Sequence, residues 1–278
     1  MKNLLITGAT GKIGSNLLQS LVKSFQSFNF FLITKKSDLK TTNNITIINH
    51  DLNEIIPKNI IESKIDVVIH MAAIAHSNDY KSVLETNLRI TKNLVDAIKD
   101  HNPHFIFFSS VAVYGEANKL FPITVDSPCN PATYYGMSKL MEEDLIIKYF
   151  NFFSILRLCP MIDNLENKDL KKRVFIPFTK IIYKSPYKRI YSFSSHKSIF
   201  NCIDEILNSL GQRKIINVKD LKDYSENMII NNYSGLKILI PKYILDFIFY
   251  STKHLIKYRI FYKIYCNLWK MFKLNTYV

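Results

Sequence analysis

A serine, a tyrosine and a lysine in the middle of the chain have the types and spacing needed to move a proton. Ser110 ends a strongly apolar run, and Tyr135 and Lys139 stand one turn apart at the start of a predicted helix, so they share a face. A phenol with a pKa of about 10 is a poor acid–base at neutral pH, but a neighbouring ammonium lowers that pKa. The pattern predicts Tyr135 as the acid–base, assisted by Lys139, with Ser110 holding the substrate oxygen.

A second set of residues, near the N-terminus, has the spacing of an anion-binding loop. The segment TGATGKIG (7–14) places three glycines between a predicted strand and a predicted helix. Glycine permits a tight turn and close approach of the backbone to a pyrophosphate, and the helix N-terminus offers N–H groups to it. The pattern therefore predicts a dinucleotide-binding loop, with an ordinary strand-to-helix turn as the alternative. The residues that would bind the dinucleotide are Gly8, Thr10, Gly11, Lys12, Ile13 and Gly14.

The end of the second predicted strand bears on which dinucleotide binds. NAD sites commonly place an acidic residue there to bind the ribose 2′-hydroxyl. This strand instead ends Thr34-Lys35-Lys36, and Lys12 lies within the glycine loop. These ammonium groups would attract a 2′-phosphate, so the sequence slightly favours NADP over NAD, unless the lysine pair is a solvated surface feature.

The elements that must position these residues follow from the hydrophobic pattern. Continuous apolar runs predict buried strands over 3–7, 28–34, 45–49, 66–73, 104–110 and 153–158, with helices from Ile13, over 82–101 and over about 135–149. This order predicts an α/β fold with a Rossmann-type doubly wound parallel sheet. We expect an NAD(P)-binding Rossmann domain over 1–158 and a small C-terminal substrate lobe over 159–278, interleaved at an approximate boundary.

Composition excludes several classes of protein. The chain has 278 residues, of which 47% are hydrophobic and 13% aromatic, which excludes a disordered chain, and seven glycines exclude a collagen-like one. The four cysteines are widely separated, with no CxxC pair and no histidine at ligand spacing. No signal-peptide pattern and no long uninterrupted apolar stretch is present. We therefore expect a cytoplasmic protein with no bound metal and no disulfide framework.

Taken together, these segments resemble the extended short-chain dehydrogenase/reductase family, most closely its nucleotide-sugar epimerases of the UDP-glucose 4-epimerase kind. The resemblance is good over 3–158 and looser to about 210, and it is carried by TGATGKIG, HDL (50–52), VIHMAA (68–73), SSVAVYG (109–115) and PATYYGMSK (131–139). It implies that a hydride leaves a sugar carbon for the nicotinamide and returns to the other face of a transient keto sugar. An NADP-dependent ketosugar reductase and a non-catalytic NAD(P)-binding regulator stay open as alternatives.

The resemblance also implies roles for single residues. Ser110, Tyr135 and Lys139 would be the catalytic triad. Ser110 and Tyr135 would contact the sugar. Tyr135 and Lys139 would also contact the cofactor. Further cofactor contacts would come from Lys35, Asp51, Leu52, Ala72, Ala73 and Asn87, of which Asn87 also braces the active site. Lys197 occupies the place of an arginine that binds the substrate diphosphate. His70 and Tyr114 are expected to be packed core residues.

Two segments depart from the family pattern. Sugar dehydratases of this family carry an Asp–Glu pair directly after the catalytic hydroxyl residue, whereas this chain has Val111 and Ala112, which disfavours dehydration. The segment Arg157-Leu-Cys-Pro lacks the asparagine that usually follows. The expected function is therefore epimerisation of a nucleotide-activated sugar, in surface polysaccharide biosynthesis.

The charge is concentrated at the C-terminal end. The net charge is +14, and residues 237–278 hold eight basic residues against one acidic residue. A basic, aromatic segment of this kind favours either peripheral contact of 243–278 with the inner face of a membrane or a helical cap on the substrate lobe. No nucleic-acid partner is expected, because no recognised binding module accompanies the charge. The resemblance further implies a homodimer formed through helices 82–101 and 135–149.

Overall fold

The computed structural model describes residues 1–35, 39–57, 59, 61–75, 80–115, 122–162, 168–176, 179–184, 189–241, 243–244, 247, 250–251, 262, 265–266 and 277–278. The named elements are β1 (Lys2–Thr7), α1 (Gly14–Ser24), β2 (Phe28–Thr34), β3 (Ile45–Asn49), β4 (Val67–His70), α2 (Tyr80–Ile98), β5 (His104–Ser110), α3 (Tyr134–Tyr149), β6 (Phe153–Leu158), α4 (Lys168–Val174), β7 (Ile182–Lys184), β8 (Ile190–Tyr191), α5 (His196–Asn208), β9 (Arg213–Val218), β10 (Tyr224–Ser225), α6 (Glu226–Ile230) and β11 (Lys237–Leu239). Short 3₁₀ helices follow α2 and β5 at Lys99–His101 and Val111–Tyr114.

Seven strands form one parallel sheet in the order β3-β2-β1-β4-β5-β6-β9. The chain runs outward from β1 to β3 and then returns to place β4 on the other side of β1, so the direction of winding reverses between β1 and β4. In open α/β sheets the ligand crevice lies at the carboxyl edge of the strands at such a reversal. The predicted fold class, a doubly wound parallel sheet, is confirmed.

Helices cover both faces of this sheet, which explains why its strands are continuously apolar. On one face, α1 and α5 pack through fully or nearly fully buried side chains such as Leu17, Leu21, Ile199 and Ile203. On the other face, α2 and α3 contribute a second layer that includes Leu94, Val95, Ile98 and Ile146. The catalytic segments predicted from the sequence lie on the second face and at the carboxyl edge.

The predicted strand over 66–73 is too long. β4 ends at His70, because the chain then turns under the glycine loop after one further hydrogen bond, from the Met71 N–H to the Thr7 carbonyl. The next predicted helix is confirmed as α2 with its 3₁₀ extension. Beyond residue 158, β9 joins the main sheet and α5 packs on it, as an interleaved chain would. The division into two domains stays a prediction.

A small lobe is built from short elements with a core of its own. β7 pairs in parallel with β11, and β8 pairs antiparallel with β10. Its buried residues are Leu170, Val174, Ile182, Tyr191, Phe193, Ile229 and Ile230. Two-residue and three-residue strands have too little periodicity to be read from sequence, which is why the sequence pattern weakens over this region.

The described part of the C-terminal end packs back onto the Rossmann domain. Tyr262 and Tyr265 are each 4% exposed, and the Tyr277 carbonyl accepts a 2.8 Å hydrogen bond from the Ile123 N–H. Val278 packs in the cluster that contains Tyr114. Among the helices that the structure describes, none is both long and apolar enough to cross a bilayer. No disulfide joins the four cysteines, all of which lie in described positions.

Candidate active site

The three predicted catalytic side chains converge at the carboxyl edge of β5. Ser110 is the last residue of that strand, and its hydroxyl is close enough to the Tyr135 phenol at the start of α3 to lower the pKa of that phenol. Thr133 caps the helix by accepting a 3.1 Å hydrogen bond from the Gly136 N–H. A Cβ at Gly136 would lie 2.6 Å from the Ala112 carbonyl oxygen, so glycine is what allows the helix to approach the turn that follows Ser110.

The sequence led us to expect that Lys139 lowers the pKa of Tyr135. In the structure, the side chains around Tyr135 instead raise that pKa. Burial raises the pKa of the phenol well above its usual value, the Glu142 carboxylate raises it further, and the nearby Ser110 hydroxyl lowers it only in part. The main physical reason is the burial of the phenol, to which the negative charge of Glu142 adds. The side chains around Tyr135 therefore favour its protonated form.

Lys139 is buried beside that carboxylate. Its Nζ lies 3.4 Å from Oε2 of Glu142 and 4.5 Å from the centre of the Phe107 ring, and the two charged side chains are 3% and 0% exposed. Burial lowers the pKa of Lys139, and the Glu142 and Glu143 carboxylates raise it. The two residues lie one turn apart on α3, and removing either one would leave the other as an uncompensated buried charge, which commonly costs about 3–5 kcal/mol.

A buried chain of hydrogen bonds leads from this ion pair to the glycine loop. The Thr91 hydroxyl donates to Glu142 Oε2 at 2.7 Å and lies 2.9 Å from His70 Nε2, and His70 Nδ1 lies 2.6 Å from the Thr7 hydroxyl. All five side chains from Thr7 to Lys139 are buried. The last residue of β1 is thus connected to α3 through β4 and α2.

The direction of these hydrogen bonds follows from the carboxylate at one end. A carboxylate only accepts hydrogen bonds, so the Thr91 hydroxyl donates its single hydrogen to Glu142. Thr91 must then accept a hydrogen bond from His70 Nε2–H. His70 Nδ1 then accepts from Thr7. Burial, assisted by the charge of Lys139, lowers the pKa of His70 to about 3, so the imidazole is neutral at neutral pH. The prediction that His70 is a packed core residue is confirmed.

Asn87 braces the site from α2. Its Oδ1 accepts from the Ile74 N–H at 2.8 Å, and its two amide hydrogens are directed to the Ile74 carbonyl and to the Ser138 hydroxyl, each at 3.1 Å. The predicted bracing role agrees with this geometry. Its predicted contact with the cofactor stays a prediction.

A second buried ion pair supports the floor of the site. Arg157 donates to both oxygens of Glu143, at 3.1 and 2.7 Å, and to the Tyr114 hydroxyl at 2.9 Å. Tyr114 donates in turn to Asn217 at 2.7 Å, and Ser109 donates to Glu143. Tyr114 is 1% exposed, which confirms that it is a packed aromatic residue. This network ties α3 to β5, β6 and β9.

The glycine loop at 7–14 presents an open edge next to this site. Gly8 has a φ of 74°, and a Cβ there would lie 2.6 Å from the Ala72 N, so the segment after β4 packs directly under the loop. Thr10, Gly11 and Lys12 are exposed, Ile13 is half-buried and Gly14 is buried. No side chain caps the N-terminus of α1. A dinucleotide pyrophosphate needs free N–H groups and a backbone that it can approach closely. These residues therefore fit a dinucleotide pyrophosphate.

The residues predicted to meet the rest of the dinucleotide are also near this edge. The Lys35 ammonium contacts the Asp51 carboxylate at 2.6 Å, and this hydrogen bond is the main reason that the pKa of Asp51 falls to about 2. An acidic group therefore does stand at the end of β2, supplied by the segment after β3. Lys36 lies outside the described residues. Leu52, which follows Asp51, is buried. Ala72 is half-buried and Ala73 is exposed.

Lys197 is placed apart from the catalytic cluster. It is exposed on the first turn of α5, where the neighbouring His196 Nε2 lies 3.2 Å from the Asn16 amide of α1. In the part of the chain that the structure describes, none of the contacts that join Ser110, Tyr135 and Lys139 involves Lys197. Its predicted role toward a substrate diphosphate stays a prediction.

Sequence reasoning missed Glu142, which the structure places at the centre of the site. One available signal was its position three residues after Lys139, which puts it on the same helical face. The pairing itself became visible only in the folded chain.

Comparison with known proteins agrees with this architecture. Residues 4–186 match the model of the NAD dependent epimerase/dehydratase family. The chain is 25% identical over 236 residues to a dTDP-D-glucose 4,6-dehydratase of Dictyostelium discoideum, covering 75% of this chain and 54% of that protein. It is 33% identical over 171 residues to a probable UDP-arabinose 4-epimerase 1 of Oryza sativa subsp. japonica, covering 53% of this chain and 39% of that protein.

A solved structure extends the similarity across most of the chain. The UDP-glucuronic acid 4-epimerase from Bacillus cereus, solved in complex with UDP-glucuronic acid and NAD, superposes with a TM-score of 0.66 at 22% identity, covering 86% of each chain. At this identity the superposition supports the fold. The chain spans about half the length of the first curated relatives it matches. With the family match over residues 4–186 and the same parallel sheet, the chain belongs to the NAD dependent epimerase/dehydratase family.

Proposed function

We propose that the protein is an epimerase that acts on a nucleotide-activated sugar through a transient keto intermediate. The observation that carries this proposal is the closeness of the Ser110 hydroxyl to the Tyr135 phenol, with Lys139 on the next turn of the same helix and the glycine loop at the adjacent strand ends. When bound, the nicotinamide would accept a hydride from a sugar carbon and return it to the opposite face. Family membership supports the class of reaction.

The residues of the chain would handle the proton of the sugar hydroxyl. As a phenolate, a form that the positive charge of the nicotinamide would favour, Tyr135 would take that proton as the carbon is oxidised and give it back when the keto group is reduced. Ser110 would hold the same oxygen by a second hydrogen bond. Lys139 would orient a ribose hydroxyl with its ammonium group, so that the reacting groups meet in a fixed geometry.

Two neighbouring residues argue against elimination of water. Val111 and Ala112 follow Ser110 directly and are 2% and 9% exposed. Neither side chain can donate or accept a proton, so the turn that faces α3 supplies no acid–base pair for dehydration. Epimerisation needs no such pair, because the single proton moved by Tyr135 returns to the same oxygen.

Replacing Tyr135 with Phe tests the proposal. The variant Tyr135→Phe should lose about 10²–10⁴-fold in kcat/KM, because the proton carrier is removed and the ring is kept. The assay follows interconversion of UDP-hexoses by chromatography and, in parallel, absorbance of the reduced nicotinamide. Tyr134→Phe is the matched control, since its ring stacks on Tyr262 at 5.1 Å outside the cluster, and it should keep its activity.

An epimerase should convert one sugar into the other with no net change in reduced nicotinamide. Consumption of one reduced cofactor per turnover would instead identify a ketosugar reductase. Unchanged turnover in Tyr135→Phe would contradict the proposed acid–base and favour a non-catalytic NAD(P)-binding regulator.

We also propose that the dinucleotide is NAD, against the slight lean of the sequence toward NADP. The support is the 2.6 Å pair of Lys35 with Asp51, which neutralises the charge that was expected to attract a 2′-phosphate. A 2′-phosphate placed there would also meet a carboxylate. The similar Bacillus cereus structure was solved with NAD.

The variant Asp51→Asn tests this choice. It leaves the Lys35 ammonium without its counter-charge, so the ratio of kcat/KM with NADP to kcat/KM with NAD should rise about tenfold above that of the unmodified protein. Asp51→Asn combined with Lys35→Ala should restore the original ratio. A clear preference of the unmodified protein for NADP would contradict the proposal.

Two further proposals concern partners. We propose a place in the assembly of surface polysaccharides, which the nucleotide-sugar chemistry of the family supports. We also propose a homodimer formed through α2 and α3, supported by Met137 and Met141, which are 37% and 46% exposed on successive turns of α3. Helix pairs of this kind form self-complementary interfaces when apolar residues line one face.

Contact with an anionic membrane surface is supported by the segment at 243–251. Three aromatic side chains there, Tyr243, Phe247 and Tyr250, are 73%, 72% and 65% exposed and have the spacing of one helical face. The surrounding residues 237–278 carry a net charge of +7. Exposed aromatic rings beside basic residues are typical of interfacial segments. Tyr262 and Tyr265 instead pack on the protein, as the predicted cap would, and the remaining residues of 243–278 are largely outside the described part.

Flotation with lipid vesicles tests this contact. The protein should float with vesicles of phosphatidylglycerol and phosphatidylcholine at low salt and much less with phosphatidylcholine alone, since charge drives the encounter. Replacing Tyr243, Phe247 and Tyr250 with Ser should reduce flotation about tenfold or more, whereas Leu221→Ser, an exposed apolar residue elsewhere, should not. Equal flotation of both variants would contradict the proposal.

A further inference from the structure

The described part of the C-terminal end touches the candidate active site at two places. Tyr262 packs against the first residue of α3. Val278 packs against the cluster that contains Val111 and Val113, in the turn that follows Ser110. The same end of the chain therefore borders both of the elements that carry the predicted catalytic side chains.

Tyr262 makes a specific polar contact with α3. Its hydroxyl oxygen accepts a 3.0 Å hydrogen bond from the Tyr134 N–H, and the centres of the two rings lie 5.1 Å apart. Tyr262 is 4% exposed, so its hydroxyl is largely withdrawn from solvent. The two residues are 128 positions apart, so the helix receives this partner from the tertiary structure and not from its own neighbouring sequence.

This contact anchors the backbone on one side of Tyr135. The first N–H groups of a helix have no partner within the helix and must find one elsewhere. In α3, the Tyr134 N–H donates to the Tyr262 hydroxyl, and the Gly136 N–H donates to the Thr133 hydroxyl at 3.1 Å. Tyr135 lies between these two anchored N–H groups, so the position of its phenol depends on both of them.

We propose that Tyr262 is a positioning residue of the active site, which holds the first turn of α3 so that the Tyr135 phenol stays close to Ser110. It acts through the backbone of Tyr134 and not on substrate or dinucleotide. A displacement of about 1 Å can cost about 10²-fold in rate, so an anchor one residue away from the acid–base bears on turnover. The inference rests on the proposed function in taking Tyr135 as the acid–base.

Replacing Tyr262 with Phe tests the proposal, since the variant keeps the ring that packs on α3 and loses the acceptor for the Tyr134 N–H. With UDP-glucose as the probe, kcat should fall about tenfold. The Kd of NAD should stay within about twofold, because the glycine loop belongs to β1 and α1 and is not altered. An unchanged kcat would overturn the proposal.

Combination with Tyr135→Phe separates positioning of the phenol from a general loosening of the fold. If Tyr262 acts through the phenol, its hydroxyl matters only while the phenol is present. Tyr262→Phe should then change the residual activity of Tyr135→Phe by less than about twofold. A tenfold loss in both backgrounds would show a general structural effect and would overturn the proposal, whereas unchanged turnover in Tyr135→Phe alone would reject the proposed function.

Amide exchange gives a second readout that needs no substrate. In protein labelled with ¹⁵N-tyrosine, exchange of the Tyr134 N–H with solvent should become about tenfold faster in Tyr262→Phe, and the amide signal of Tyr135 should move, because the anchor is lost. Unchanged exchange would overturn the proposal even if the proposed reaction is correct. Faster exchange with a moved Tyr135 signal supports it even if UDP-glucose is not the substrate.

Tyr265→Phe is the matched control. Tyr265 is also 4% exposed, and its ring centre lies 6.4 Å from that of Tyr262, so this variant removes a hydroxyl from the same packing. It should keep both the kcat and the exchange rate of the Tyr134 N–H. Equal effects of the two variants would show that any change in this packing disturbs the site, and would overturn the assignment to Tyr262.

Discussion

Five buried side chains from four elements form one chain of hydrogen bonds between the glycine loop and the catalytic helix. Thr7 of β1, His70 of β4, Thr91 of α2, and Glu142 and Lys139 of α3 each use a neighbour in this chain as a partner. An unpaired buried polar group is costly, so each member fixes the position of the next. The relative placement of the loop and of Tyr135 depends on this constraint.

The surrounding apolar structure makes the constraint effective. Helices on both faces of the sheet exclude water from β4 and from the inner face of α3, where a charge is worth more than in solvent. In such surroundings Lys139 needs a counter-charge, which the Glu142 carboxylate supplies at 3.4 Å. The second ion pair, between Glu143 and Arg157, holds the same helix to β6.

Local patterns predicted the parts of the site that lie close together in the sequence. The glycine loop and the Tyr135–Lys139 face follow from spacing within one turn or one helix, and the apolar strands follow from continuous runs. The contact of Glu142 with Thr91 joins residues 51 positions apart, and the Lys35–Asp51 pair joins the ends of two strands. Spacing cannot predict either contact, because each depends on which residues face one another after the sheet forms. The short strands of the small lobe left too little periodicity to be recognised.

The protonation of His70 tests this account most directly, because the imidazole stands in the middle of the buried chain. The measurement is the ¹⁵N chemical shift of its two ring nitrogens in the unmodified protein as the pH is lowered. The account predicts a neutral ring with its proton on Nε2 that does not titrate until the pH approaches about 3, since burial and the charge of Lys139 oppose protonation. Titration near the usual histidine pKa of about 6.5, or a proton on Nδ1 at neutral pH, would contradict it.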